Sequence, residues 1–161
     1  MHPDSTRAGP YLLPDYRAVM EAFANYVAVQ RPLLQSPEDT ARLMRPVLIP
    51  CEQEQMHALL LDAKNGLIAD ALLTTGLADR TQIAPREAFR QAIRENCSRI
   101  LLVHNHPSGD PTPSAQDIAA TRQLVEAGKI VGIEILDHVV LGTRTERRLK
   151  DFVSFRQENL L

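Results

Sequence analysis

The chain has 161 residues, 44% hydrophobic and 24% charged, which is long enough for one domain with a real core and too apolar for intrinsic disorder. Its net charge of −2 and pI near 6.2 lack the positive field expected of a protein whose main ligand is nucleic acid, although local basic patches stay open. No apolar run approaches the roughly 18 to 20 residues that cross a bilayer, and nothing resembles a secretory signal, so a cytoplasmic protein without membrane contact is expected.

Residues 1–14 hold Pro3, Gly9, Pro10 and Pro14 without hydrophobic period, which predicts a leader or extended arm. Tyr16, Val19, Met20, Phe23, Tyr26 and Val27 then recur at three- and four-residue spacing, predicting a helix to about Gln30 with Asp15 as N-cap. Ser36-Pro37-Glu38-Asp39 announces a second helix, capped by Ser36 and ending near Pro46 or a few residues later. Cys51 and Cys97 lie in apolar-flanked positions without CxxC spacing and read as reduced, buried thiols.

Met56–Asp62 and Leu67–Thr74 are apolar-rich and joined by Ala63-Lys64-Asn65-Gly66, where Asn-Gly supplies the positive φ angles of a β-hairpin turn. After a loop beyond Gly76, Pro85 opens a helix to about Asn96 with Ala88, Phe89, Ala92 and Ile93 on its buried side. Ser98–Val103 is a short, continuously apolar strand suited to the centre of a sheet. A Pro- and Gly-rich loop over 107–113 leads to a helix capped by Ser114 and closed by Gly128. Val131–Leu141 and Phe152–Phe155 complete the strands. Helices interleaved with strands predict an α/β domain, a mixed α+β or three-layer sheet flanked by helices.

The chemistry concentrates in His104-Asn105-His106-Pro107 and Ser114-Ala115-Gln116-Asp117. Residues two apart in extended chain face the same side, so His104 and His106 present both imidazoles to one point. The intervening loop is long enough to fold back and bring Asp117 there. Two imidazoles and one carboxylate leave a fourth position open, as in a catalytic rather than a structural zinc site. Ser-x-x-Asp before an apolar run is also a helix-capping signature, so a capping role for Ser114 and Asp117 stays open beside the metal one. Asn105 points away from the histidines and suits bracing. His138, after Asp137 in a strand, suits the core or a place behind the metal ligands, and His2 and His57 read as surface residues.

The order His-x-His-Pro, six residues, Ser-x-x-Asp resembles the JAMM motif of the JAB/MPN zinc metalloproteases, and His104-Asn105-His106-Pro107-Ser108-Gly109 is similar to their bacterial RadC-like branch. Leu61-Asp62-Ala63-Lys64-Asn65, Pro85-Arg86-Glu87, Leu136-Asp137-His138 and Phe152-Val153-Ser154-Phe155-Arg156 extend the resemblance over residues 36–161, leaving 1–35 as a leader and one helix. The resemblance implies a JAB/MPN-like, cytidine-deaminase-like three-layer α/β/α fold, a Zn²⁺ cofactor held by His104, His106 and Asp117, and hydrolysis of an amide or isopeptide bond in a peptide or protein substrate. It also implies an upstream glutamate acting on water. Counting back from Leu61-Asp62 gives Glu54, with Glu52 as its same-face rival. Ser114 matches the motif serine, placed in the family to stabilise a developing oxyanion.

Other zinc chemistries fit less well. The H-x-E and P-C-x-x-C of nucleobase deaminases and the HExxH of other metalloproteases are absent, and a TIM barrel needs about 250 residues. A nucleic-acid role is the main alternative, since RadC-like proteins carry a historical association with DNA repair. Longer members of the branch add an N-terminal helix-hairpin-helix segment, which the first 35 residues do not suggest. The stripe Arg86, Arg90, Arg94 and the cluster Arg144, Arg147, Arg148, Lys150 read as solvated faces. A non-catalytic MPN-like scaffold is the last alternative, and retention of every matched residue argues against it.

Overall fold

A computed structural model describes residues 14–76 and 83–161. The predicted leader, His2 and most of the loop after Gly76 lie outside the described residues. Four helices and five strands follow in the order α1 (Pro14–Gln30), α2 (Pro37–Leu48), β1 (Gln55–Leu61), β2 (Leu67–Thr75), α3 (Pro85–Arg94), β3 (Arg99–Asn105), α4 (Ala115–Val131), β4 (Glu134–Leu141) and β5 (Phe152–Ser154). The strands form one sheet ordered β2-β1-β3-β4-β5, with β3 and β4 parallel and the other pairs antiparallel.

Strand alternation sorts the core into two layers. Leu59, Leu61, Leu101, Val103, Val139 and Leu141 face Tyr16, Phe23 and Val27 of α1 and Met44, Val47 and Leu48 of α2. Ala58, Leu60, Ile100, Leu102 and Ile135 face Ala88, Phe89 and Ala92 of α3 and Leu124 of α4. The result is the predicted three-layer α/β/α arrangement, with β3 at the centre of the sheet. From Ile100 to Val103 its side chains are buried on both faces, as the uninterrupted apolar run requires. Cys51 and Cys97 are buried, and desolvation raises the pKa of both thiols, so they stay protonated and inert.

Several local expectations are corrected. The first helix begins at Pro14, so Asp15 lies within it rather than capping it. In the hairpin only Asn65 takes a positive φ, 64°, because Asp62 organises the turn by accepting from the N–H groups of Lys64 and Gly66. Ile93 is exposed. Helical geometry puts it about 90° from the centre of the Ala88-Phe89-Ala92 stripe, on the side of Arg86. Helix α4 runs past Gly128 to Val131 and ends at Gly132, whose φ is 79°. Gly128 serves packing instead, since a Cβ there would meet Ile133 O at 2.5 Å and Phe89 Cζ at 3.3 Å.

His57 is fully buried rather than on the surface, because β1 has neighbours on both edges and helices over both faces. Its Nδ1 lies 2.9 Å from both oxygens of Asp70 and its Nε2 3.2 Å from Gln55 Oε1, which also accepts the Tyr16 hydroxyl at 3.0 Å. This polar network fixes α1 to the sheet. Among the described residues no helix is long and apolar enough to cross a membrane.

Candidate metal centre

The register of the sheet assembles the site. His104 shares the α4 face with Ile100 and Leu102, and Met56 of β1 lies opposite it. Glu54, two residues before Met56, therefore sits on the same face, just beyond the end of β3. His106 follows two residues after His104, with its N–H held by Leu141 O at 2.9 Å. Above them stands the first turn of α4. Ser114 is its N-cap, and the capping box is complete: Ser114 Oγ accepts the Asp117 N–H at 3.1 Å, and Asp117 Oδ2 accepts the Ser114 N–H at 2.7 Å. Capping thus aims the Asp117 carboxylate at the histidines, so the capping role leaves this carboxylate in reach of a cation.

The four groups converge. His104 Nε2 and His106 Nε2 are 2.9 Å apart, and Asp117 Oδ2 lies 3.5 Å from the first and 3.3 Å from the second. Glu54 Oε1 is 3.7 Å from His104 Nε2, and one ligand atom from each of these residues falls within 4.8 Å of the others. A tetrahedral ion with bonds of about 2.0–2.1 Å has ligand atoms about 3.3–3.4 Å apart, close to these separations. Glu54, His104 and Asp117 are buried, and His106 keeps slight exposure. Glu52 is exposed, so of the two candidate glutamates only Glu54 reaches the cluster.

The donor set fits a cation for an electrostatic reason as well. Carboxylate oxygens only accept hydrogen bonds. His106 Nδ1 lies 2.7 Å from the backbone oxygen of Asp110, which also only accepts, so Nδ1 bears a proton and it is Nε2 that turns toward the site. Lone pairs gathered at this spacing need positive charge, from protons on the imidazoles or from a metal ion. Burial opposes ionisation of Asp117, yet His104, His106 and the Ser114 N–H outweigh it and hold its carboxyl well below the usual carboxylate range.

The other singled-out residues take supporting places. Asn105 braces the approach to β1: its Oδ1 accepts the Gln55 N–H at 2.8 Å and its Nδ2 donates to Gln53 O at 3.1 Å. His138 is buried behind His104, their Nε2 and Nδ1 atoms 2.7 Å apart. Residues 34–160 match the RadC-like JAB domain. The chain belongs to this family. The UPF0758 protein of Desulforamulus reducens is 39% identical over 145 residues, covering 88% of this chain and 64% of that protein. The UPF0758 proteins of Syntrophomonas wolfei and Methanosarcina mazei are 45% and 41% identical, covering 70% and 73% of this chain and 49% and 52% of theirs. The chain therefore spans about half to two thirds of these relatives' length.

Within the RadC-like JAB domain the basic segments are largely paired or solvated. Arg86, Arg90 and Arg94 are exposed along α3, with Arg90 3.4 Å from Glu87. In segment 143–151, Arg144 pairs with Asp151 and Lys150 with Glu158, while Arg148 Nη1 donates to Gly109 O at 2.7 Å. Sequence reasoning missed Thr121 and the carbonyl of Asp110. Asp110 left no signal, whereas Thr121, one turn beyond Asp117, was findable from helical spacing.

Proposed function

We propose that the protein is a zinc-dependent hydrolase of amide or isopeptide bonds, acting on a peptide or protein substrate. The observation that carries this reading is the convergence of His104, His106 and Asp117 at near-tetrahedral spacing, with Glu54 3.7 Å from His104. His104, His106 and Asp117 would hold the ion, and a set of two imidazoles and one carboxylate would leave a position for chemistry. A bound zinc ion supplies Lewis acidity that polarises a carbonyl and acidifies water. Glu54, buried against His104 yet outside the three-ligand set, is the general base: its carboxylate takes the proton of the attacking water and returns it to the departing amine. Ser114 stabilises the oxyanion. Its Oγ accepts the Asp117 N–H with a lone pair, which leaves its own proton to donate.

Metal analysis coupled to a peptide and isopeptide screen tests the proposal. Stoichiometric zinc, and hydrolysis abolished by chelation and by Glu54→Gln, are expected. Nuclease activity that survives both treatments would move the function away from this site.

A further inference from the structure

The buried side chains behind His104 form a chain of hydrogen bonds whose direction is fixed at one end. It starts at the backbone oxygen of Asp117, which bears no proton. Thr121 Oγ1 lies 2.7 Å from it and can only donate to it. A threonine hydroxyl has one proton, so the same oxygen must accept from its next neighbour, His138 Nδ1, at 2.6 Å. His138 is therefore protonated on Nδ1. Its ring is wholly buried and stacked on Phe155 at 4.4 Å, surroundings that keep it neutral and leave Nε2 with a lone pair. That lone pair faces His104 Nδ1 at 2.7 Å, so His104 carries its proton on Nδ1 and turns Nε2 to the site.

Resting on the metal-centre reading, we infer that Thr121 and His138 are positioning residues that fix the tautomer and ring orientation of His104, so that Nε2 is the nitrogen offered to the metal. The chain runs from the backbone of one ligand, Asp117, to the imidazole of another, His104, and thereby ties α4 to the end of β3. It also gives a purpose to two sequence segments that the hydrolytic reading leaves idle. Asp137 accepts the backbone N–H groups of His138 and Arg156 and the hydroxyl of Ser154. It thus locks β5 against β4 and sets Phe155 over the His138 ring.

Two-bond ¹H–¹⁵N correlation spectra of ¹⁵N-histidine protein, zinc-loaded and chelator-treated, read the tautomers directly, and zinc affinity follows from chelator competition. His138 is expected with its proton on Nδ1 in both states. Thr121→Val, nearly isosteric but without the hydroxyl, should disturb that tautomer and weaken zinc binding about 10- to 100-fold, the usual cost of losing an outer partner of a ligating histidine. Thr121→Ser should restore both, which separates the hydroxyl's role from packing. His138 protonated on Nε2 in the wild type, or Thr121→Val with unchanged tautomer and affinity, would overturn the inference whatever the metal content. A wild type that binds no zinc while His138 is protonated on Nδ1 would overturn the metal-centre reading and, with it, the purpose assigned to Thr121 and His138.

Discussion

Replacing Gly142 with alanine tests how tightly the loop behind His106 is held. A Cβ at this position would lie inside van der Waals contact of the Gly109 carbonyl oxygen, 2.8 Å from Pro111 Cδ and 2.9 Å from Pro111 N. These are backbone or ring atoms with no flexible end to swing aside. Carbon contacts settle near 3.5 Å, so the two Pro111 contacts alone require the 109–111 loop to withdraw by at least about 0.6–0.7 Å. That loop is pinned, since Thr143 N and Arg148 Nη1 both donate to Gly109 O, at 2.9 and 2.7 Å. It also carries the Asp110 carbonyl that orients His106, so withdrawal turns the imidazole. Overpacking of this kind costs about 1–3 kcal/mol, and a shift beyond the ~0.5 Å tolerance of a preorganised site should lower zinc affinity about ten-fold or more. Thermal unfolding of chelator-treated protein reads the first effect and chelator competition the second. Gly132→Ala is the control: its φ of +79° costs about 1 kcal/mol on an alanine, but a Cβ there meets nothing within 4 Å. It also lies about 22 Å along α4 from Asp117. Stability should fall there with zinc affinity unchanged. Equal zinc affinity in Gly142→Ala and wild type, or equal losses in both variants, would refute the coupling of this loop to His106.

Glu54→Gln should keep zinc while lowering turnover by about 10²- to 10⁴-fold, measured as metal content and kcat on the same preparation; loss of zinc would make Glu54 a ligand instead. Asp117→Ala should lose the metal, and zinc content equal to wild type would remove Asp117 from the ligand set. The carboxyl of Asp62 is held below its ordinary pKa by the N–H groups of Gly66 and Lys64. A depressed folded value means that its stabilisation is present above the unfolded value near ~3.9 and is lost as pH falls through the folded value. Asp62→Ala should therefore be less stable than wild type at neutral pH, and the difference in urea midpoints should close below about pH 4. A gap unchanged down to about pH 2 would contradict this origin.

Legibility in the sequence followed the physics of each signal. Residue periodicity is local, so the hairpin strands, the central β3 and the capped starts of α2 and α4 could be read in advance. The convergence of His104, His106 and Asp117 was legible because extended-chain alternation and a capping box both aim side chains predictably. Glu54 was matched ahead of Glu52 through the family resemblance alone, and the β1–β3 register, in which Met56 faces His104, supplies the physical reason. Periodicity cannot supply that. His57 looked like surface because burial of a strand depends on its neighbours, and its partner Asp70 lies on the adjacent strand. Ile93 misled for a related reason: a short helix buries only the narrow stripe its neighbours reach. Gly128 is chemically a helix stop, but the approach of Phe89 and Ile133 decided its use.

Each ligand of the proposed centre is held by a further hydrogen bond from outside the cluster. His106 Nδ1 is fixed on Asp110 O, Asp117 Oδ2 on Ser114 N, and His104 Nδ1 on His138. Such bracing keeps the groups from drifting apart when no metal neutralises them, so the site holds its geometry at the cost of electrostatic strain. That strain exists only in the folded chain, because an unfolded chain lets the four groups separate into water. A cation that relieves it must bind the native state preferentially and raise stability by mass action. At a free zinc concentration 100 times Kd the gain is about 2.7 kcal/mol, which for a domain of this size raises Tm by about 5–11 °C. Differential scanning calorimetry of chelator-treated protein, titrated with zinc and then with magnesium, measures it. Zinc should move Tm in step with its own Kd, whereas magnesium, which prefers oxygen ligands in octahedral array, should leave it nearly unchanged. Zinc that binds tightly without moving Tm would show that these four groups are not the place it binds.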